Sequence, residues 1–532
     1  MNEYADQCQN QYPQENSKPA NAVQPKLTPE EKEHRILHFR FFGMGSLIYA
    51  LFYALCLYKN PSGITYPFFI GGTLYFFFLS LKKFGISAKK DSVFYIASLI
   101  LLGISTFCTD DASIIAFNKI GIFILSFVLI LHNFYDDSRW DFTAYMKKIC
   151  RLLFGTAGTI GRPFSDLHLY SQKRRLIKKE NGSKGKYVFF GILISIPLLL
   201  FVILLLSSAD VVFNSVMNSV FDFSYIPDNF FGICFTILAA FLISYCMVTY
   251  LEKWKPADIM PNKRTGEPVL AITVTSALSA VYLLFSGIQI VYLFFGGMEL
   301  PYNYTYAEYA RKGYFQLLFV CVMNLILVLI CLGRFKEHKA LKAILTVISL
   351  CTYIMIASSA MRMIMYIRCY ALTFLRIFVL WSLAVIFLLM TGIIISIYKQ
   401  HFPFFKYSMV MVTVLYLGLS FSHPDYWIAK YNLGILSGSE IYSRGTDGRY
   451  LSRLSADAAP ILLDAETMKT YYKNPERDED GRLINPQDAW LDSYIHSIQS
   501  HIKHIQSEGT KIRTFNLSRF LAEKYIESAD TP

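Results

Sequence analysis

Long, almost uncharged apolar runs recur along the chain and set its plan. They fall at 41–58, 64–81, 93–108, 114–134, 187–206, 231–251, 270–295, 313–332, 341–360, 371–398 and 404–421. Crossing the hydrocarbon core of a bilayer takes about 20 residues of helix at about 1.5 Å rise each. Strands of a membrane barrel would alternate in polarity at every second position, whereas these runs are apolar all round. The pattern predicts an all-α fold: a polytopic bundle of about eleven transmembrane helices.

The intervening segments carry the orientation. Segments 1–40, 82–92, 135–186, 252–269, 333–342 and 399–406 together hold 31 Lys and Arg residues, against five in the loops of the other side. That bias predicts a cytoplasmic N-terminus. An odd number of spans then places 422–532 outside the cytoplasm. Lys342 and Lys406 stand at span ends and are counted with the loops, while Lys119 and Arg376 fall inside predicted spans.

Between and beyond the spans, the pattern divides the chain further. Residues 1–40 read as a polar, flexible cytoplasmic tail with no signal-peptide pattern. The first four spans occupy 41–134. The basic connection 135–186 interleaves Met146, Ile149, Leu152, Leu153 and Phe154 with Lys147, Lys148 and Arg151. This predicts an amphipathic helix lying on anionic lipid headgroups, with Lys173, Arg174, Arg175, Lys178 and Lys179 extending the attraction. The main bundle of seven spans covers 187–421. Helical periodicity returns over 457–472, 487–506 and 514–527, so 422–532 reads as a small extracytoplasmic helical domain able to engage envelope proteins.

Composition supports the same class. Hydrophobic residues make up 54% of the 532, and charged residues only 17%, against about 25% in soluble domains. Mean hydropathy is +0.36. This balance excludes a soluble enzyme, a disordered chain and a disulfide miniprotein. The net charge of +12 would suggest nucleic acid in a soluble protein, but the basic cytoplasmic loops account for it and no nucleic-acid partner is expected. The ten cysteines form no C-x-x-C pair, and no metal or cofactor is implied.

The candidate chemistry is a set of ionisable residues near the outer side: Asp210, Glu308, Arg311, Arg362, Arg368 and Arg376. A charge near the bilayer centre costs about 2.5–3.5 kcal/mol on insertion scales, so each needs a partner, a ligand or a route to the headgroups. Tyr306, Tyr366 and Tyr370 accompany them, either as an interfacial belt or as the lining of an outer cleft. Guanidinium groups in such a cleft would suit an anionic ligand.

Several motifs look familiar. Tyr304-Thr-Tyr-Ala-Glu-Tyr-Ala-Arg311, with Gly313-Tyr-Phe-Gln-Leu-Leu318, resembles a signature of an uncharacterised bacterial membrane family. That family is domain of unknown function 4173, related to 4153. Arg362-Met363, Tyr366 and Tyr370-Ala-Leu-Thr-Phe-Leu-Arg376 with Trp381 resemble a second motif, in which Ala371 replaces the family's usual glycine. Ser208-Ala-Asp210 with Val212-Phe213 resembles a third, and Ala429-Lys-Tyr-Asn432 and 451–460 fit its post-membrane portion. The resemblance covers roughly 187–460 and implies a multi-pass membrane protein but no activity.

Weaker signals read more plainly. The acids of Glu476-Arg-Asp478-Glu-Asp480-Gly481 echo a calcium loop, but Gln487 stands where a bidentate glutamate belongs. His496, His501 and His504 are read as surface histidines, and Gly155, Gly158 and Gly161 as a flexible joint lacking a phosphate loop's lysine. Asp110-Asp111 sits between the third and fourth spans as an expected loop cap. Three functional classes remain. The favoured one is a cell-envelope binding or scaffold protein of the plasma membrane. A transporter or lipid handler for an anionic amphiphile comes next. Last is a membrane transferase on lipid-linked substrates, using Asp110, Asp111 or Asp210.

Overall fold

The structure, a computed structural model, describes residues 27–137, 140, 142–177, 202, 206, 210, 230–253, 264–291, 313–399, 402–436, 448–464, 490–508 and 512–530. The described residues are helical, with one isolated bridge between Gly266 and Phe335. Among the described residues, eight helices are long and apolar enough to cross a membrane.

We number the helices in chain order. α1 is Pro29–Leu57, α2 Thr65–Phe84, α3 Ser92–Cys108, α4 Ala112–Phe134, α5 Phe142–Ala157 and α6 Arg162–Ile177. α7 is Phe230–Lys253, α8 Pro268–Gln289, α9 Tyr314–Arg334, α10 Lys339–Tyr370, α11 Phe374–Tyr398 and α12 Phe404–Phe421. α13 is Pro424–Leu436, α14 Trp490–Glu508 and α15 Leu517–Asp530. The eight spans are α1, α4 and α7 to α12. Of the eleven expected spans, 64–81 and 93–108 correspond to α2 and α3, which lie outside that eight. The second of these is a shorter apolar helix. The span expected at 187–206 lies outside the described residues apart from Val202 and Leu206.

The chain separates into two compact units, residues 1–45 with 161–225, and 46–160 with 226–532. In the first, α1 begins at Pro29, ahead of its apolar run, because Thr28 and Glu31 form a reciprocal capping box. Arg35 and Lys173 make ion pairs to Asp166 and Glu33, so α6 is tied to the polar start of α1.

The second unit holds three apolar clusters. One joins α8 to α11, one joins α2 to α5 with Leu251 and Phe405, and one joins α13 to α15. α5 sets Tyr145 and Leu152 into the second cluster while Met146, Leu153 and Phe154 stay exposed. Its basic residues therefore divide. Lys148 is buried with its ammonium 4.7 Å from the Tyr135 ring centroid, a cation–π arrangement that the reading as a purely headgroup-facing helix missed.

The loops of each predicted side meet one another. Lys89 donates to the Tyr135 carbonyl, Lys406 pairs with Asp91, and Tyr145 stacks on Phe405 at 3.6 Å. At the opposite end, segments 60–64, 109–111 and 422–425 meet the C-terminal helices.

Candidate functional site

The proposed outer cleft divides on inspection. Tyr306, Glu308 and Arg311 lie outside the described residues, as do the calcium-like loop and most of the 187–229 segment. Asp210 is exposed, its N–H bonded to the Leu206 carbonyl, and it belongs to the first compact unit rather than the second. Arg362, Tyr366, Arg368, Tyr370 and Arg376 are described, and they do different work.

Arg376 caps a helix break. α10 ends at Tyr370, and Ala371 adopts φ 65° and ψ −176°, a region that side chains with a Cβ rarely enter. Arg376 donates to the Tyr370 carbonyl at 2.6 Å and also to the Ala371 carbonyl, satisfying acceptors at the helix end. Its guanidinium lies 4.3 Å from the Tyr366 ring centroid, and Tyr366 packs on Tyr370. The next residue is held from α13: Leu372 N–H donates to Asn432 Oδ1 at 2.8 Å, and Asn432 Nδ2 donates to the Leu372 carbonyl at 3.0 Å. Phe374 N–H donates to the Tyr450 hydroxyl at 2.9 Å. Two separated motifs thus form one clasp, and position 371 adopts a backbone conformation that glycine enters without strain.

Arg362 lies deeper on α10 and is buried. Its Nη2 donates to Gln289 Oε1 of α8 at 3.2 Å, and Ser358 Oγ donates to the same oxygen at 2.6 Å. Gly313, at φ 107°, starts α9 against this guanidinium: a Cβ there would stand 2.8 Å from Arg362 Nη1. Arg368 is exposed. The two inner arginines therefore meet the bundle's own groups.

The larger assembly of charge lies at the end that carries the C-terminal helices. Asp457, in a short turn at Ala456–Ala458, has a fully buried side chain. It accepts from the Asp110 N–H at 3.0 Å, from the Thr109 hydroxyl, and from His423 Nδ1 at 3.2 Å. Asp425 is buried at the start of α13 and accepts from the Ser455 N–H at 2.9 Å. Asp111 caps α4 by accepting from Ser113 and Ile114 N–H groups, as a loop-end aspartate should. Its second oxygen is buried with no hydrogen-bond partner. Asp110 lies 3.4 Å from Arg519 Nε and 3.6 Å from His501 Nε2. Arg519 Nη2 donates to Ser62 Oγ at 2.9 Å, and Asn516 Nδ2 bridges the carbonyls of Ser62 and Thr109. The Tyr494 hydroxyl donates to the Ser455 carbonyl at 2.9 Å.

Burial and the Asp425 charge push the Asp111 carboxyl up to about 7. Burial likewise raises Asp425, against the opposing hydrogen bonds from Ser455. Burial would raise Asp457 too, but the hydrogen bond and charge of His423, with Ser518 and Thr109, outweigh it and hold it below its usual value. The Asp457 hydrogen bond in turn raises His423. Asp110 and Asp111 were visible in the sequence as a loop pair. Asp425, Asp457, His423 and Arg519 were not, since they come from elements far apart in the chain. Among the described residues no group of three His, Cys, Asp or Glu side chains is arranged to hold a metal ion.

A third polar grouping faces inward along α8. Thr275, Ser279, Tyr282, Ser286 and Gln289 are buried at steps of four and three residues, while Val281 and Leu284 of the same helix are exposed. Asn324 of α9 donates to Thr352 of α10, the helix that also packs on α8, at 3.0 Å.

The family model for Domain of unknown function (DUF4153) matches residues 96–465, so the chain belongs to that family. No curated protein and no solved structure matches it. The matched range contains the clasp, Arg362, and the aspartates of the polar joint, but not Arg519.

Proposed function

We propose that this member of the DUF4153 family, a multi-pass membrane protein, is a binding scaffold of the cell envelope that presents its C-terminal helices at one end of the bundle. The reading places the N-terminus in the cytoplasm and 422–532 outside it, in the plasma membrane. It retains the motif likeness to the related family 4173.

The observation that carries the proposal is the buried joint between the C-terminal helices and three loops of the bundle. A mobile appendage would need no such fastening. Here Asp457, Asn516 and Arg519 bond to the segments 60–64 and 109–111, and Ile64 N–H donates to the Phe515 carbonyl at 2.7 Å. The engagement of Arg362 and Arg376 by Gln289, Tyr366 and helix-end carbonyls supports the same reading over an open anion cleft. The transferase reading would use Asp110, Asp111 or Asp210, and of these the Asp110 N–H and carboxylate and one Asp111 oxygen are used in holding the fold.

Two measurements test the proposal. A compartment-sensitive reporter fused after Pro532 should be active only outside the cytoplasm. Quantitative cross-linking in cells should recover protein neighbours through 490–530 that disappear in an Asp457→Lys variant inserted at normal levels. An identical neighbour set in both forms, or a cytoplasmic reporter signal, overturns the scaffold reading.

A further inference from the structure

The inward face of α8 reverses the usual arrangement of a soluble helix, with its polar side chains inside and its apolar ones outside. From Thr275 to Gln289 it runs about 21 Å at about 1.5 Å per residue, most of a hydrocarbon core about 30 Å thick. α8 and α10 run parallel and pack along their length, since Gly266 bridges Phe335 at one end and Gln289 meets Ser358 and Arg362 at the other.

Many hydroxyls between membrane helices need nothing beyond their own helix. Thr275 donates to the Ala271 carbonyl, Ser349 to that of Leu345, and Thr352 to that of Ile348. Small polar residues of this kind allow close packing. Three groups depart from that pattern. The Tyr282 hydroxyl, Ser286 Oγ and Asn324 Oδ1 are buried and have no hydrogen-bond partner. Tyr282 and Ser286 are one turn apart on α8, and Tyr282 lies beside Cys321, one turn before Asn324 on α9. Asn324 is fully buried and already spends its amide N–H on Thr352, leaving its carbonyl as an acceptor.

In a bilayer core there is no bulk water to satisfy such groups, and leaving them bare is costly. Together they offer two hydroxyls that donate or accept and one amide oxygen that only accepts. The complement is a molecule that both donates and accepts, without net charge, because among the described residues this stretch of α8 and α9 carries no carboxylate or amine. We propose that the inward face of α8, with Asn324 of α9, is a hydrated track that binds water and small uncharged hydrogen-bonding solutes within the membrane. Gln289, held by Ser358 and Arg362, closes one end of it. This goes beyond the scaffold reading and does not depend on it.

Thiol accessibility tests the track in full-length protein in lipid vesicles. Ser286→Cys is nearly isosteric. Val281→Cys and Leu284→Cys sit at similar depth on the exposed side of the same helix. α8 has no native cysteine, so modification by a water-borne methanethiosulfonate reagent, added on both sides, is read by mass spectrometry of the α8 peptide without altering the rest of the chain. We expect Ser286→Cys to react at least about ten times faster than either control. Glycerol at molar concentration should slow it by competition, and adding Asn324→Leu should slow it further. Equal rates at all three positions would show a dry, packed interface and overturn the proposal. Fast modification unaffected by both glycerol and Asn324→Leu would overturn the solute site and leave an opening of another kind.

Discussion

Two polar fastenings hold the C-terminal helices to the bundle, and they are built from opposite materials. The clasp at 370–374 uses mainly neutral hydrogen bonds, Asn432 to both sides of Leu372 and Tyr450 to Phe374, with the Arg376 guanidinium added on helix-end carbonyls and no carboxylate or histidine among its bonds. The joint at 109–111 uses charge, with four buried aspartates set against Arg519, His423 and His501. A neutral fastening depends on geometry alone. A charged one also depends on protonation, since like charges in a low dielectric force some carboxyls to keep a proton. The same pair of elements is thus joined once insensitively and once sensitively to pH.

The largest effect should come from Asp457. Asp457→Ala removes the acceptor for His423, Thr109 and the Asp110 N–H together, and breaking a buried pair costs about 3–5 kcal/mol. Hydrogen exchange at Asp110 should accelerate strongly while exchange at Leu372 stays slow. Loss of protection at both sites would show that the two fastenings act as one.

Next comes pH. Asp111, held up to about 7 in the folded state, contributes stability that is complete below its free value and is lost as pH rises through about 7. His423, raised by Asp457, loses its proton and its attraction in the same direction. Asp457 is lowered, so it stays ionised on the acid side until well below neutrality. Corrected for intrinsic rates, joint amides should lose protection as pH rises from about 4 to about 7, and further above about 6.5 as His423 gives up its proton, with clasp amides unchanged. Asp111→Asn should flatten that dependence.

Asn432→Ala should cost about 1–3 kcal/mol, because it leaves the Leu372 N–H and carbonyl unpaired in a partly buried turn. Its signature is fast exchange at Leu372 with the joint intact. Ala371→Gly acts in the opposite sense. Relief of its unfavourable backbone conformation, less the greater freedom of glycine in the unfolded chain, should raise thermal stability by about 1 kcal/mol. The smallest effect belongs to the exposed Lys406–Asp91 pair. Lys406→Ala should change stability by less than about 1 kcal/mol, and by still less in high salt.

Much of the fold was legible from local pattern. The apolar runs located the eight long spans as well as α2 and α3, and the helical period recovered α14 and α15. The start of α1 at Pro29 was missed because a capping box, rather than an apolar residue, begins it. The arginines drew attention as costly residues in a membrane. Their partners, Gln289 and the carbonyls of Tyr370 and Ala371, are neutral and carry no sequence signal of a charge pair. The aspartate joint was half visible, since Asp110 and Asp111 adjoin each other while Asp425 and Asp457 lie more than three hundred residues further on.

Transfer of apolar residues into lipid depends on each segment's own composition and length, so the class of protein and its spans follow from the chain read in order. Which buried polar group meets which depends on how helices distant in sequence pack, because hydrogen bonds and ion pairs act over a few ångströms between side chains that local pattern does not relate. That packing made Arg376 a helix cap, made Asp457 the centre of a joint, and turned the serines and tyrosine of α8 inward together.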